Sequence, residues 1–346
     1  MDRSHVIAAT QSAVALYRRA PVTFSLIASY LISNVVSTAW LDYRLFVSLP
    51  GGPLPKNIFG WAVHFFALSP LSLARSWTSG NLVRSYLPLM QQASLEDRSL
   101  TTGASLPRRN GARPTTAGTV PHRQIDQFRS SSSIEGDAEA ASSAANDALE
   151  RVLAALDQQA QEQPSHVRLG RSQIEPDSSA LFAVSHTLVT QSEAVSRSTR
   201  SARFPSTLSR RFLSSLQGEF AHIHCTRSPN PDGRDSSLHV TLHPHDAALV
   251  VELGWGELHP LAGFPSYSGF WIGWPAWLAR WRPKLPARWW SNSSVPQQGT
   301  ATKAMGLPPT YCLVYAPRDN DEAQVVLHIL DAAAHFAIGT PPPSRS

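Results

Sequence analysis

Between Phe220 and Gly254 the spacing of apolar residues switches from every second position to that of a helix, which most constrains the fold. From Phe220 to Arg227, residues Phe220, His222 and His224 alternate with Ala221, Ile223 and Cys225, the period of a strand. PNPDGRD, from Pro229 to Asp235, is turn chemistry. Alternation resumes from Ser237 to Leu242, with Leu238, Val240 and Leu242 on one side and His239 and Thr241 on the other. A hairpin of these two strands places His222, His224 and His239 on a common face, provided the register cooperates. HPHDAALVVELG then reads as a helix, opened by Pro244 and Asp246 and stopped by Gly254, with His243 and His245 at its mouth. Six of the chain's thirteen histidines fall between His222 and His259.

Neighbouring segments extend the pattern. Leu208, Phe212 and Leu216 form a helical stripe, Tyr311 to Tyr315 reads as a strand, and Asp319 caps a helix whose buried stripe is Val325, Val326, Ile329, Leu330, Ala333 and Phe336. Upstream, the run from Ala138 to Glu162 is helical by its alanine density and by Leu149, Val152, Leu153 and Leu156; short apolar pieces follow up to Val184. The expected fold class is α+β: a mainly antiparallel sheet with helices packed on one face, spanning 138–339.

The rest of the chain reads differently. Pro21 to Leu41 carries no charge over 21 residues and is preceded by Arg18 and Arg19. About 20 apolar residues cross the hydrocarbon core, so a transmembrane helix is expected, with 1–92 as an anchor region. A cleaved signal peptide is the rival, opposed by the length of the run and its distance from the start. The apolar stretch 58–74, broken by His64 and Pro70, is expected to lie in the interface or pack on the anchor; if it crosses, the anchor is two-pass. The expected location is the endoplasmic reticulum membrane. A mitochondrial membrane is the alternative, because Arg3, Arg18 and Arg19 occur with only Asp2 as an acid before Asp42. Residues 93–137 are rich in Ser, Thr, Arg, Gly and Pro and are expected to be a disordered linker.

The net charge of +5 comes from arginines spread along the chain and only three lysines, with no basic face interleaved with aromatics; nucleic acid is not an expected partner. Cys225 and Cys312 are too few for a disulfide framework and read as two buried small hydrophobes, or as one bridge.

EFAHIH, SSLHVTLHPHDAALVVELG, GWGELHPLAG and TYCLVYAPRDNDEAQVVLHILDAAAHFAIG resemble the luciferase-like domain of fungal luciferases. The similarity extends through DYRLF at Asp42, LPRRNGARP at Leu106 to Pro114, and the segment from Ala144 to Phe182. Matching positions are Glu219, His222, His224, His239, Gly254, Trp255, Gly256, His259, Pro260, Tyr315, Pro317 and Arg318, with His243 and His245 matching less well. The resemblance implies a membrane-anchored protein that oxidises a hydroxylated pyrone with dioxygen, using no metal or flavin and hence no cofactor. The chain departs from the family at 264–309, where Trp271, Trp274, Trp277, Trp281, Trp289 and Trp290 occur with Arg280, Arg282, Lys284 and Arg288. That insertion suits a membrane interface or a lid on its own domain, so light emission on the same substrate is not expected automatically.

Cofactor-free oxygenation needs a base to take an enol proton and a donor or cation to hold developing negative charge. The expected catalytic residues are His239, His259 and Arg318, and the expected substrate-binding residues Glu219, His222, His224, Trp255 and Tyr315. The expected partners are a small-molecule substrate, dioxygen and membrane lipid. A rival constellation joins His222, His224 and His239 to Glu219 as a zinc or iron site. The rival function is a non-catalytic, membrane-tethered binder of an apolar small molecule or lipid.

Overall fold

The computed structural model describes residues 17–49, 54–69, 106–116, 135–175, 178–184, 207–214, 216–224, 237–263 and 307–339, with shorter pieces at 11–15, 72–100 and 120–124. Strands β1 (Val167–Arg171), β2 (Ser179–Ala183), β3 (Glu219–Ile223), β4 (Leu238–Thr241), β5 (Gly256–Leu258) and β6 (Tyr311–Val314) form one sheet in the order β1-β2-β3-β4-β6-β5, and every neighbouring pair is antiparallel. This is the expected α+β architecture.

The two sheet faces differ because the alternation in the strands differs in chemistry. Leu181, Ala183, Ala221, Ile223, Leu238, Val240, Cys312, Val314 and Leu258 point to one face and join the main hydrophobic core. Helices α4 (Glu135–Glu162), α6 (Pro244–Glu252) and α7 (Asn320–Ile338) pack on these strands, α4 against β1 and β2, α7 against β2 to β4, and α6 against β5 and β6. Helix α5 (Thr207–Ser214) packs on α7, where Phe212 meets Phe336. The Asp319 carboxylate accepts the Glu322 N–H at 2.8 Å to start α7, and Gly339, at φ 73°, ends it in the left-handed conformation. The Cys312 thiol is buried on the apolar face, as expected of a small hydrophobe; Cys225 lies outside the described residues.

Gly256 sits where strand β5 meets β6. A Cβ there would lie 2.3 Å from the Leu313 carbonyl oxygen, which the strand pairing holds in place. Gly256→Ala is therefore expected to destabilise the domain by about 1–3 kcal/mol or more, read as a lowered Tm; an unchanged Tm would show that β5 moves freely on its neighbour.

At the N-terminus, helix α1 (Pro21–Ser48) is longer than the expected 21 residues. It is the one described helix long and apolar enough to cross a membrane, and none of its most apolar 18-residue window is buried against the rest of the chain. Helix α2 (Ile58–Ala62), capped by Asn57, continues as a π-helical turn to Leu68. At about 1.5 Å per residue this piece spans roughly 17 Å, too short for a second crossing. It docks on the end of α1 instead: Trp61 donates to Asp42 at 2.8 Å, and Phe46 meets His64. The short helix α3 (Val83–Tyr86) packs on α6.

Pieces of the expected linker, 93–137, are described and lie against the fold. Leu100, Leu106 and Val120 are buried, and Asp246 at the start of α6 accepts the N–H groups of Ser99 and Leu100 at 3.0 and 3.1 Å. Arg109 pairs with Glu322, and Arg123 pairs with Glu175. A few aliphatic residues and two buried arginines are enough to seat these pieces on the fold although the composition is polar. The remainder of 93–134 and residues 264–306 of the tryptophan-rich insertion lie outside the described residues. The two ends of the insertion meet, since Gly263 N–H reaches the Leu307 carbonyl at 3.0 Å.

Candidate active site

The second face of the sheet carries the histidines. Pairing of β3 with β4 sets His222 directly opposite His239, the register the common-face expectation required. The rings of His222 and His239 lie 5.0 Å apart between centroids, His224 and His239 4.7 Å, and His222 and His224 5.2 Å. His259, in the loop after β5, lies 5.3 Å from His239. Tyr311, at the start of β6, stacks on His239 at 4.8 Å with an interplanar angle of 7°. His222, His224, His239 and Tyr311 are essentially inaccessible, whereas His259 retains 8% exposure and forms the rim.

Two acids hold this cluster, Glu219 at the start of β3 and Glu175 in the β1–β2 turn. Glu219 accepts the Ser172 hydroxyl and the Gln173 N–H, each at 2.7 Å, and lies 2.7 Å from Nδ1 of His222. A carboxylate only accepts, so His222 Nδ1 carries the proton and Nε2 is the ring nitrogen turned to the cluster. The Ser172 oxygen also accepts the N–H groups of Ile174 and Glu175, both at 3.1 Å, and this turn carries the Glu175 carboxylate to 3.3 Å from His224 Nε2. On its other side His224 Nδ1 faces Ser237 Oγ at 3.0 Å. Leu261 N–H donates to His259 Nδ1 at 3.0 Å, so neutral His259 is a donor at Nε2.

Burial, reinforced by the neighbouring imidazoles His224, His222 and His259, pushes the His239 pKa well below the ordinary histidine value, so the ring is neutral. Burial also pushes the Tyr311 phenol well up, helped by the charges of Glu219 and Glu175, and keeps it a donor. Burial alone would raise Glu175; His224, His222 and Arg123 outweigh it and hold the carboxyl well below the usual range. The sign for stability is the same for both shifted groups. As pH falls through the ordinary histidine value of 6.5 and then the carboxyl value of 4.5, the unfolded chain takes up protons that the folded His239 and Glu175 refuse. Tm is expected to fall steadily as pH drops from 7 towards 4; a flat or rising Tm over that window would contradict these environments.

Of the expected site residues, Glu219, His222, His224, His239 and His259 are brought together. Trp255, Tyr315 and Arg318 are not. Trp255 donates to the Pro107 carbonyl, Tyr315 donates to Glu257 at 3.3 Å, and the Arg109 guanidinium lies over both rings. Arg318 is tied to Glu322 four residues on and to the Asn110 carbonyl at 2.9 Å, because a carboxylate buried at the start of α7 needs cations around it. His243 caps α6 and stacks on His245, away from the cluster.

Sequence reading missed Glu175 and Tyr311. Tyr311 was legible as a strand position of the same parity as Tyr315, but only the β4–β6 register, Thr241 opposite Tyr311, puts it beside His239. For Glu175 the signal was faint: an acid in a Pro-containing turn between two short strands.

A family description named Luciferase domain matches residues 217–333, which take in β3 to β6, α6 and most of α7. The luciferase of Armillaria gallica is 25% identical over 303 residues, covering 87% of this chain and 82% of that protein. That of Armillaria mellea is 25% identical over 315 residues, covering 90% and 86%, and that of Neonothopanus nambi 28% over 123 residues, covering 36% and 29%. No solved structure matches the chain. These matches take in the imidazole-bearing strands and extend over most of the chain, so the chain carries a luciferase domain and is similar to fungal luciferases, which supports a fungal luciferase-like family.

Proposed function

We propose that this protein is an oxygenase that joins dioxygen to an acidic enol, a hydroxypyrone or similar small molecule. The observation that carries the reading is the buried His239, stacked on Tyr311 and adjoining His259 at the rim, within a luciferase domain. In its simplest form the reaction needs no cofactor. The enol proton passes to neutral His239, the enolate supplies the electrons that reduce dioxygen, a carbon–oxygen bond forms, and the proton returns to the terminal oxygen, so that substrate plus O2 gives a hydroperoxide. His259 Nε2–H and the Tyr311 hydroxyl are the donors for the anion. Glu219 orients His222, and His222 and His224 wall the site. Helix α1 would tether the domain to the endoplasmic reticulum membrane, where an apolar substrate partitions into lipid.

The test is oxygen uptake by the full-length protein in detergent micelles with a 4-hydroxy-2-pyrone, with light recorded in parallel. Uptake stoichiometric with substrate consumption supports the reading. A shift in ligand fluorescence without oxygen consumption would replace it with the alternative, a membrane-tethered binder of an apolar small molecule.

A further inference from the structure

We infer that Glu175, His222, His224 and His239 form a seat for one divalent first-row transition-metal ion. It rests on the oxygenase reading and deepens it at the same histidine cluster, with one change of role: His239 would be a ligand, and the ion would supply the acidification of the enol.

Each of the four offers one ligand atom, all are buried, and these atoms lie within 4.8 Å of one another. Ligand atoms around an ion with bonds of about 2.0–2.2 Å stand roughly 3–4 Å apart, so small side-chain rotations close the seat. Three imidazoles and one carboxylate are a donor set for zinc, iron, manganese or cobalt rather than for calcium or magnesium.

The surroundings are built as metal sites are built. The His222 Nδ1–H is held by Glu219, itself fixed by Ser172 and Gln173, and His224 Nδ1 is held against Ser237. Such partners fix the ring orientation and raise ligand basicity. They leave His222 Nε2 fully buried with no hydrogen-bond partner among the described residues, a cost that a metal ion removes. Glu219, the carboxylate favoured from sequence, is therefore the orienting group, and Glu175 is the ligand. Arg123 pairs with Glu175 and Glu219 holds His222, so two buried carboxylates and one guanidinium leave a single net negative charge for the ion.

The experiment takes the full-length protein in detergent, strips it with a chelator, and reloads it separately with Zn(II), Mn(II), Co(II) and, anaerobically, Fe(II). Bound metal is counted by elemental analysis after dialysis. About one equivalent of at least one ion is expected, with a raised Tm and, for cobalt, intense visible bands of a low-coordinate site. Glu175→Gln and His224→Gln should each lower affinity at least tenfold, Glu219→Gln by about 10- to 100-fold, and His245→Gln should leave it unchanged. Less than about 0.1 equivalent of every ion in folded wild-type protein overturns the inference, and so does full occupancy in a Glu175→Gln, His224→Gln double variant. Should the variants not fold, wild-type stoichiometry and the cobalt spectrum decide. Unchanged oxygen uptake by stripped protein that rebinds no ion sinks the metal seat and spares the oxygenase reading. One tightly bound ion with no oxygen uptake does the reverse.

Discussion

Replacing His239 with glutamine is expected to lower substrate-dependent oxygen uptake by about two to four orders of magnitude, the usual loss when a positioned proton-transfer group is removed. The ring is the hub of the cluster: it touches His222, His224, His259 and Tyr311, and burial keeps it neutral. Glutamine occupies a similar volume and keeps polar atoms in the cluster, so secondary structure should survive and the loss should appear in kcat. His259→Gln should cost less, because Tyr311 is a second donor beside the same space. If His239→Gln retains more than about a tenth of the wild-type rate, catalysis is not carried by this face of the sheet and the oxygenase reading fails.

The largest effect on stability is expected at Glu322, far along the chain from the histidines. Its carboxylate is buried at the first turn of α7, where it accepts from Arg109, from the Arg318 side chain and from the Arg318 N–H. Arg109 in turn is almost fully buried and also donates to the Ala316 carbonyl. Glu322→Ala strands that guanidinium without its counter-charge, a change that costs about 3–5 kcal/mol and lowers Tm by roughly 6–20 °C in a domain of this size. A paired Arg109→Met, Glu322→Leu variant, which removes both charges, should recover much of the loss. A loss below about 1 kcal/mol for Glu322→Ala would mean that the 106–116 segment is not held to α7 by this pair.

These two residues also mark how far the sequence could be read. Glu322 was legible as part of the acidic first turn of a capped helix, yet its partner Arg109 sits in a stretch whose composition reads as a tether. Composition reports how much apolar surface a segment offers, not whether a distant buried carboxylate is waiting for its arginine. Arg318 was assigned to catalysis because it matches the family pattern and carries a charge; the same match is explained by its hold on Glu322. For the second apolar stretch, read as lying in the interface, packing on the anchor or crossing, the Trp61–Asp42 hydrogen bond shows its described part packed against the end of α1.

By itself the sequence determined the main helices, the strands around His222, His239 and Leu313, the apolar N-terminal helix and the shared side of His222 and His224, since these follow from periods of 2 and 3.6 residues that a chain cannot hide; the β3–β4 register that brings His239 to them, and strand β5 in what reads as a turn-rich loop, do not. What only the tertiary structure decided is which carboxylate and which tyrosine join these histidines. Glu219 turns to His222 as its orienting partner while Glu175, from a turn some 45 residues earlier, enters the cluster, and Tyr311 rather than Tyr315 stacks on His239. Those choices depend on strand order and register between segments far apart in sequence, and local periodicity carries no information about either.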